Sequence, residues 1–409
     1  MAGPPRIAVV GGSLAGLRAT EQLRSAGHSG PITVFGAEAH LPYNRPPLAK
    51  EALASSDHQS ITELAERLLL RRRASTGDVT FRLGDPVISA DLASGTLITE
   101  DDHYASYDGL VIATGLRPRR LNVPGPALGR HVLRTVEDCH RIRTAIAPPR
   151  NLHVVVVGAG FVGCEVASTL SSLGHTVTIV EPAGPPMVRV LGQIVADAVQ
   201  RHHEGHGVRF VTGGEVAGFT GDARIDGVAL STGEVLPADL VVEAIGSACN
   251  VEWLQGNSLD LRDGVLAGND LLVAGTSRTV AVGDVVRFPN PLFDDIPRRV
   301  EHWSIPGDTA KRAAGTLLSL LRDEPPDVVP FAPIPSFWSD QFGLRFQSYG
   351  SPGLGDEVVV TEGDTAHLGS GLLATYHRSG QHVGTLALNL SPARQRELRS
   401  AFVQIGSTA

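Results

Sequence analysis

Residues 154–170 read VVVVGAGFVGCEVASTL, and this stretch decides the fold. Four successive valines make a β-branched apolar run of the kind that a strand covered on both faces requires. Gly158, Gly160 and Gly163 then take the three glycine positions of a GxGxxG turn, and Phe161, Val162, Cys164, Val166 and Ala167 open a helical pattern. Such glycines permit a tight turn, let the backbone approach a pyrophosphate, and let the helix pack closely on the strand. A second strand runs from Thr176 to Glu181, which puts Glu181 twenty-three positions after Gly158. A carboxylate there would accept hydrogen bonds from a ribose 2′-OH and repel a 2′-phosphate. The unit predicts an NADH site, with NADPH disfavoured.

The same grammar occurs once more, at residues 7–20, IAVVGGSLAGLRAT. Here Gly11 and Gly16 hold the outer glycine positions, Ser13 replaces the middle one, and Leu14 and Ala15 lie between. Serine is small enough to leave the pyrophosphate approach open, and its hydroxyl has a proton to donate. The next strand is Pro31 to Phe35, and Glu38 beyond it is the candidate acid for an adenosine ribose, with a solvated loop acid as the alternative. Two strand–turn–helix openings predict an α/β fold with two Rossmann-like dinucleotide-binding domains. Further buried strands are expected at 107–115, ending in Ala113, Thr114 and Gly115; at 238–246, ending in Ile245 and Gly246; and at 279–284, ending in Gly283 and Asp284. Five prolines between Pro325 and Pro335 mark a linker. Beyond it the pattern predicts strands, a hairpin around His377–His382 and a final helix from about Pro392, which together make a C-terminal α+β domain.

Length and composition agree with several domains and exclude some functions. A chain of 409 residues asks for two to four domains at ~100–200 residues each. Its formal charge of −8 offers no electrostatic case for nucleic acid. The three cysteines, Cys139, Cys164 and Cys249, lie far apart, which excludes a disulfide framework and a neighbouring redox dithiol. Nothing reads as a targeting segment or approaches ~18 uninterrupted apolar residues, so a cytoplasmic protein without a membrane is expected.

Beside the two glycine turns stand the segments LPYNRPPLAK (41–50), ATGLRP (113–118), LRTVED (133–138), AVGDVVRF (281–288), VEHW (300–303) and FWSDQ (337–341). In this order the chain resembles the FAD-dependent NAD(P)H:ferredoxin reductases of the putidaredoxin and rhodocoxin reductase type, within the pyridine nucleotide-disulfide oxidoreductases. The resemblance implies a glutathione-reductase-like fold divided into an FAD domain at 1–116 and 251–324, an NAD(P)H domain at 117–250 and a C-terminal domain at 325–409. It implies that FAD is held by Gly11, Ser13, Leu14, Ala15, Gly16, Glu38, Arg45, Lys50, Val87, Ala113, Thr114, Gly115, Arg134, Gly283, Asp284, His302 and Trp303. NADH would meet Gly158, Gly160, Phe161, Val162, Gly163, Glu181, Arg189, Ile245 and Gly246. Lys50 and Glu165 are the implied catalytic pair: an apolar helix turn makes a lone Glu165 carboxylate costly, and the flavin-site lysine would compensate it. The implied activity passes electrons from NADH through FAD to an acidic iron–sulfur ferredoxin serving a cytochrome P450 or other oxygenase, by a monomer or homodimer.

Two departures keep other readings open. Ile305–Pro306 and Ser247–Asn250 replace segments that are different in the resembled family, and Pro306 is expected to disturb the helix that follows. They motivate an FAD-dependent oxidase or monooxygenase as an alternative, and an NADH-sensing flavoprotein resembling apoptosis-inducing factor is another. No metal is expected: HHEGH at 202–206 lacks HExxH spacing and reads as a solvated helix end. Arg71–Arg73 read as a solvated face, or as a docking patch for an acidic partner, and Arg298 and Arg299 share that second reading.

Overall fold

The structure, a computed structural model, describes residues 3–57, 59–147 and 151–407. Two parallel sheets organise it. The first has the strand order Thr279–Ala281, Gly109–Ile112, Ile7–Val10, Ile32–Gly36, Thr80–Leu83, with each neighbouring pair parallel. Its central strand Ile7–Val10 is buried along its whole length, as a strand covered on both faces must be. The edge strand Thr279–Ala281 arrives from far along the chain, after the second sheet has been built. That sheet is ordered Arg209–Thr212, Thr176–Glu181, His153–Val157, Leu240–Glu243, Arg130–His131, again parallel throughout. In each sheet the glycine turn follows the central strand, so each turn opens at the carboxyl edge where parallel sheets bind ligands.

The third sheet is antiparallel: Ser336–Gln341, Leu344–Gly350, Gln381–Leu388, Leu372–Arg378, Glu357–Gly363. His377 pairs with His382 across the expected hairpin, and the final helix is Pro392–Ser407. This sheet shares a continuous apolar core with the second sheet, in which Val156, Ile179, Phe346 and Tyr376 are all buried. The Tyr376 hydroxyl donates to the Leu191 carbonyl at 2.9 Å, tying that sheet to the helix Val188–Gly205. A separate core around Val9, Leu23, Val280 and Leu317 joins the first sheet to the helices Leu14–Ser25 and Ile305–Leu321, which pack against each other.

Two expectations need correction. Pro306 does not disturb its helix, because it sits in the first turn of Ile305–Leu321, where the missing N–H costs nothing and the fixed φ suits the helix. HHEGH is a solvated helix end only in part, with Glu204, Gly205 and His206 exposed. Gly205 closes its helix as expected, but His203 is fully buried beneath Phe210 and Phe342, and His202 Nε2 lies 3.0 Å from the Phe342 carbonyl.

Candidate active site

The outer glycines of both turns are demanded by close backbone approach. A Cβ on Gly11, whose φ is +126°, would lie 2.1 Å from the Ala113 carbonyl oxygen, and one on Gly16 would lie 1.9 Å from that of Gly11. In the second turn, Gly158 and Gly163 would meet the Ala244 and Gly158 oxygens at 2.5 and 2.1 Å. Gly160 is different, since a Cβ there meets nothing within 4 Å. Its reason is therefore outside the protein, in the space a pyrophosphate would enter. The helices Leu14–Ser25 and Phe161–Ser172 have no side-chain hydrogen bond at their N-caps, Ser13 and Gly160, which leaves first-turn amides to meet an anion.

The acids at the two strand ends are held differently. Glu181 accepts from the amides of Ala159 and Ala183, each at 2.9 Å, so its carboxylate is fixed beside its own glycine turn. Glu38 is clamped by side chains: it accepts from Arg45 Nη2 at 2.5 Å and from the Tyr43 hydroxyl. It is half-buried and is no solvated loop acid. Arg45 also donates to the Arg134 carbonyl at 2.7 Å and reaches Ser13 Oγ at 3.3 Å. Arg134 lies 3.7 Å from Asp284 Oδ2, and Gly115 is beside the Arg134 guanidinium. Burial pushes the Asp284 carboxyl up to about 6, against the pull of Arg134. Gly283, at φ +73°, lets this segment approach Ala15, since a Cβ there would come 2.8 Å from that of Ala15. Ser13, Glu38, Arg45, Gly115, Arg134 and Asp284 thus form one cluster at the mouth of the first turn.

Lys50 follows the short helical turn Pro46–Ala49, whose Ala49 carbonyl accepts from Thr169 Oγ1 at 2.7 Å. That bond anchors the loop to the second glycine-turn helix, and Lys50 Nζ lies 2.8 Å from Glu165 Oε1. Burial pushes the Glu165 carboxyl up, and Lys50 opposes the shift. Nearby, Thr114 Oγ1 donates to the Asn250 carbonyl and Asn250 Nδ2 donates back to that of Thr114. The departure at 247–250 therefore forms a strand, Ser247–Cys249, paired with Leu116–Pro118 where the two dinucleotide halves meet.

His302 lines a cavity of about 220 Å³ with Val190, Phe293, Ile296, Arg298 and Phe337. Burial pushes its imidazole down to about 4, and its Nδ1 has no partner among the described residues. The remaining expected residues are less engaged. Val87 opens the strand Val87–Asp91, Trp303 is half-buried before the helix Ile305–Leu321, and Leu14, Ala15 and Ala113 are buried. Phe161 packs on Phe337, whereas Val162 is exposed. Arg189 is exposed without an ion-pair partner among the described residues; Ile245 is half-buried and Gly246 is exposed at φ +92°.

Arg71–Arg73 line a separate cavity of about 450 Å³ with Arg18 and Glu21. Arg298 and Arg299 are neutralised by Asp294 at 2.5 Å and by Asp263 at 2.8 Å, which weakens their reading as a docking patch. Among the described residues no cluster could hold a metal ion, and no helix is long and apolar enough to cross a membrane. Sequence reasoning missed the side chains that hold the expected acids: Tyr43 donates to Glu38, and Ser339 to Glu165, with Gln341 and His203 behind it.

Residues 5–307 match the pyridine nucleotide-disulphide oxidoreductase model and residues 336–404 match the reductase C-terminal model. The chain belongs to the pyridine nucleotide-disulphide oxidoreductase family. It is 32% identical to a probable ferredoxin reductase, CtmF, of Castellaniella defragrans, over 91% of this chain and 87% of that one. Rhodocoxin reductase of Rhodococcus erythropolis is 33% identical over 87% of this chain and 80% of its own. A crystal structure of the covalent putidaredoxin reductase–putidaredoxin complex superposes with a TM-score of 0.86 at 28% identity, covering 97% of this chain and 93% of that one. This oxidoreductase family implies FAD as prosthetic group and NADH as co-substrate. The uncapped helix ends, the open space at Gly160 and the paired guanidinium and carboxylate groups at the first turn fit both dinucleotides.

Proposed function

We propose that this chain is an NADH:ferredoxin oxidoreductase, which delivers electrons one at a time to an iron–sulfur ferredoxin serving a cytochrome P450 or another oxygenase. Relatives and a structural neighbour carry names of that kind. The observation that carries the reading is the state of the cysteines: Cys139 and Cys164 are buried and Cys249 half-buried, all three unpaired. Burial pushes the Cys139 thiol up to about 12 and raises the other two, so none supplies a thiolate relay. Electrons must then leave directly for an external acceptor.

When bound, FAD would supply the chemistry that couples a two-electron hydride donor to a one-electron acceptor. Gly11, Ser13, Leu14, Ala15 and Gly16 would hold its pyrophosphate at the helix end, with Arg45 and Arg134 supplying positive charge. Asp284 would accept from ribityl hydroxyls. Gly158–Gly163 and Glu181 would hold NADH, and the Glu181 carboxylate disfavours NADPH. Lys50, oriented by Glu165, would present its ammonium to the flavin edge and balance charge there. In this reading the FAD domain spans 1–116 and 251–324, the NADH domain 117–250 and the C-terminal domain 325–409. The partner is an acidic ferredoxin, which the exposed Arg71–Arg73 run favours, and the enzyme works in the cytoplasm as a monomer or homodimer.

The test mixes the FAD-loaded protein with NADH and then with air or a ferredoxin. Rapid bleaching, slow reoxidation in air and cytochrome c reduction only with ferredoxin are expected. Rapid reoxidation by O₂ coupled to an organic substrate would overturn the reading in favour of an oxidase.

A further inference from the structure

The Lys50–Glu165 pair is approached from the C-terminal sheet by an uninterrupted row of buried polar side chains. Ser339 Oγ donates to Glu165 Oε1 at 2.6 Å, the same oxygen that Lys50 reaches. Gln341 Nε2 donates to Ser339 Oγ at 2.9 Å, and His203 Nε2 lies 2.9 Å from Gln341 Oε1. Ser339 and His203 are fully buried and Gln341 is 1% exposed. Three elements contribute: the strand Ser336–Gln341, the helix Val188–Gly205 and the glycine-turn helix Phe161–Ser172.

The chemistry fixes the direction of every bond in this row. An ionised carboxylate only accepts, so Ser339 must spend its single proton on Glu165, and its lone pairs then take the Gln341 amide. The Gln341 oxygen is left facing His203, which must therefore carry its proton on Nε2. Burial pushes the His203 imidazole down to about 4, so the ring is neutral, and its bare Nδ1 has no partner among the described residues. All donors thus point the same way, toward Glu165. Hydrogen bonds aligned head to tail polarise one another in a low-dielectric interior. Among the described residues the row stops at the fully buried His203, whose Nδ1 has no partner, so the aligned bonds act as a dipole directed at Glu165.

We infer that Ser339, Gln341 and His203 form a positioning network that holds Glu165 ionised and aimed at Lys50, so that the C-terminal domain sets the charge state of the pair. This rests on the reading of Lys50 and Glu165 as the pair beside the flavin. The need for such a network is evident from the burial of Glu165, which alone raises its carboxyl. The other groups facing it are Lys50, the Asp340 backbone amide and the buried Cys164 thiol on its own helix. Lys50 and the amide favour the ionised form, while the thiol remains neutral. Without Ser339, Lys50 and one amide must oppose the burial alone.

The test uses the FAD-loaded protein and two readouts. Infrared difference spectra across pH, with Glu165→Gln identifying the band, follow the protonated Glu165 carboxyl without NADH. Ser339→Ala is expected to move its inflection upward by about one pH unit, and Gln341→Leu by less in the same direction. Flavin reduction by NADH in Ser339→Ala is expected to be slowed about tenfold near the acidic end of the profile and less than about twofold at its alkaline end. An unmoved infrared inflection in Ser339→Ala overturns the network, as does a rate loss equal at every pH. If NADH fails to reduce even the unmodified protein, the functional reading falls, while the infrared titration still decides the network.

Discussion

The two glycine turns have the same backbone and opposite surroundings. In both, the outer glycines are pressed against a neighbouring carbonyl, and a helix N-terminus stands uncapped above them. Around the first, Glu38 and Arg45 hold one another through their side chains, Arg45 also donates to the Arg134 carbonyl, and Asp284 is half-buried beside Arg134. Around the second, Glu181 is held only by local amides and the middle position opens to space. A nest of interlocked side chains suits a group that stays, whereas an open, backbone-held site suits one that comes and goes. The difference between prosthetic group and co-substrate is written around the turns and is absent from the turns themselves.

The strongest way to break the comparison is to fill the shared glycines. Gly16→Ala and Gly163→Ala each force a Cβ to about 2 Å from a carbonyl oxygen, so something must shift in both. Each is expected to cost about 3 kcal/mol or more, read as a fall in melting temperature. Gly16→Ala should yield colourless protein, and Gly163→Ala a yellow protein that NADH no longer reduces. Gly160→Ala is the control: it should fold normally and only raise KM for NADH, because its Cβ enters solvent space.

Next comes the half-buried acid that marks the first site. The folded-state carboxyl of Asp284 lies at about 6, above its ordinary 3.8. An acid raised on folding binds its proton more tightly in the folded state. Stability is therefore full below about pH 4, falls as pH rises toward 6, and is flat above. The fall amounts to about 2 kcal/mol in flavin-free protein after allowing for partial solvent contact. Asp284→Asn should abolish that slope in a series of melting curves, and a slope unchanged by the substitution would count against burial as its source.

How much of this was legible depends on the range of the interaction. The strands and turns were readable because β-branched runs and glycine spacing encode them locally. The Lys50–Glu165 pair was readable only by family resemblance, since nothing local joins residues so far apart. Ser339 and Gln341 lay inside a quoted segment, FWSDQ, yet their roles arise from contacts with Glu165 and His203 on other elements. His203 was misread because polarity was taken for exposure, when tertiary packing places it under two phenylalanines. Pro306 was misread because its position within the helix, which decides whether a proline harms, depends on where the helix begins.

The second site yields a smaller effect. Glu181→Ala removes the carboxylate that opposes a 2′-phosphate and frees the amides of Ala159 and Ala183. The ratio of kcat/KM for NADH over NADPH should fall about tenfold, or ~1.4 kcal/mol. The equivalent change at Glu38 should instead loosen FAD, because there the acid anchors Arg45.

The smallest effect sharpens the comparison most. Ser13→Gly converts the first turn into a full GxGxxG, as in the second, and leaves every arginine in place. The lost contacts are the long ones from Arg45 at 3.3 and 3.4 Å, which are near the limit for a hydrogen bond and leave Arg45 still bound to Glu38 and Arg134. The surrounding nest predicts FAD affinity within about threefold of the parent, below ~0.7 kcal/mol, by titration of flavin into stripped protein. A tenfold loss would mean that Ser13 itself donates to the pyrophosphate, and that the first turn differs from the second in its own chemistry as well as its neighbours.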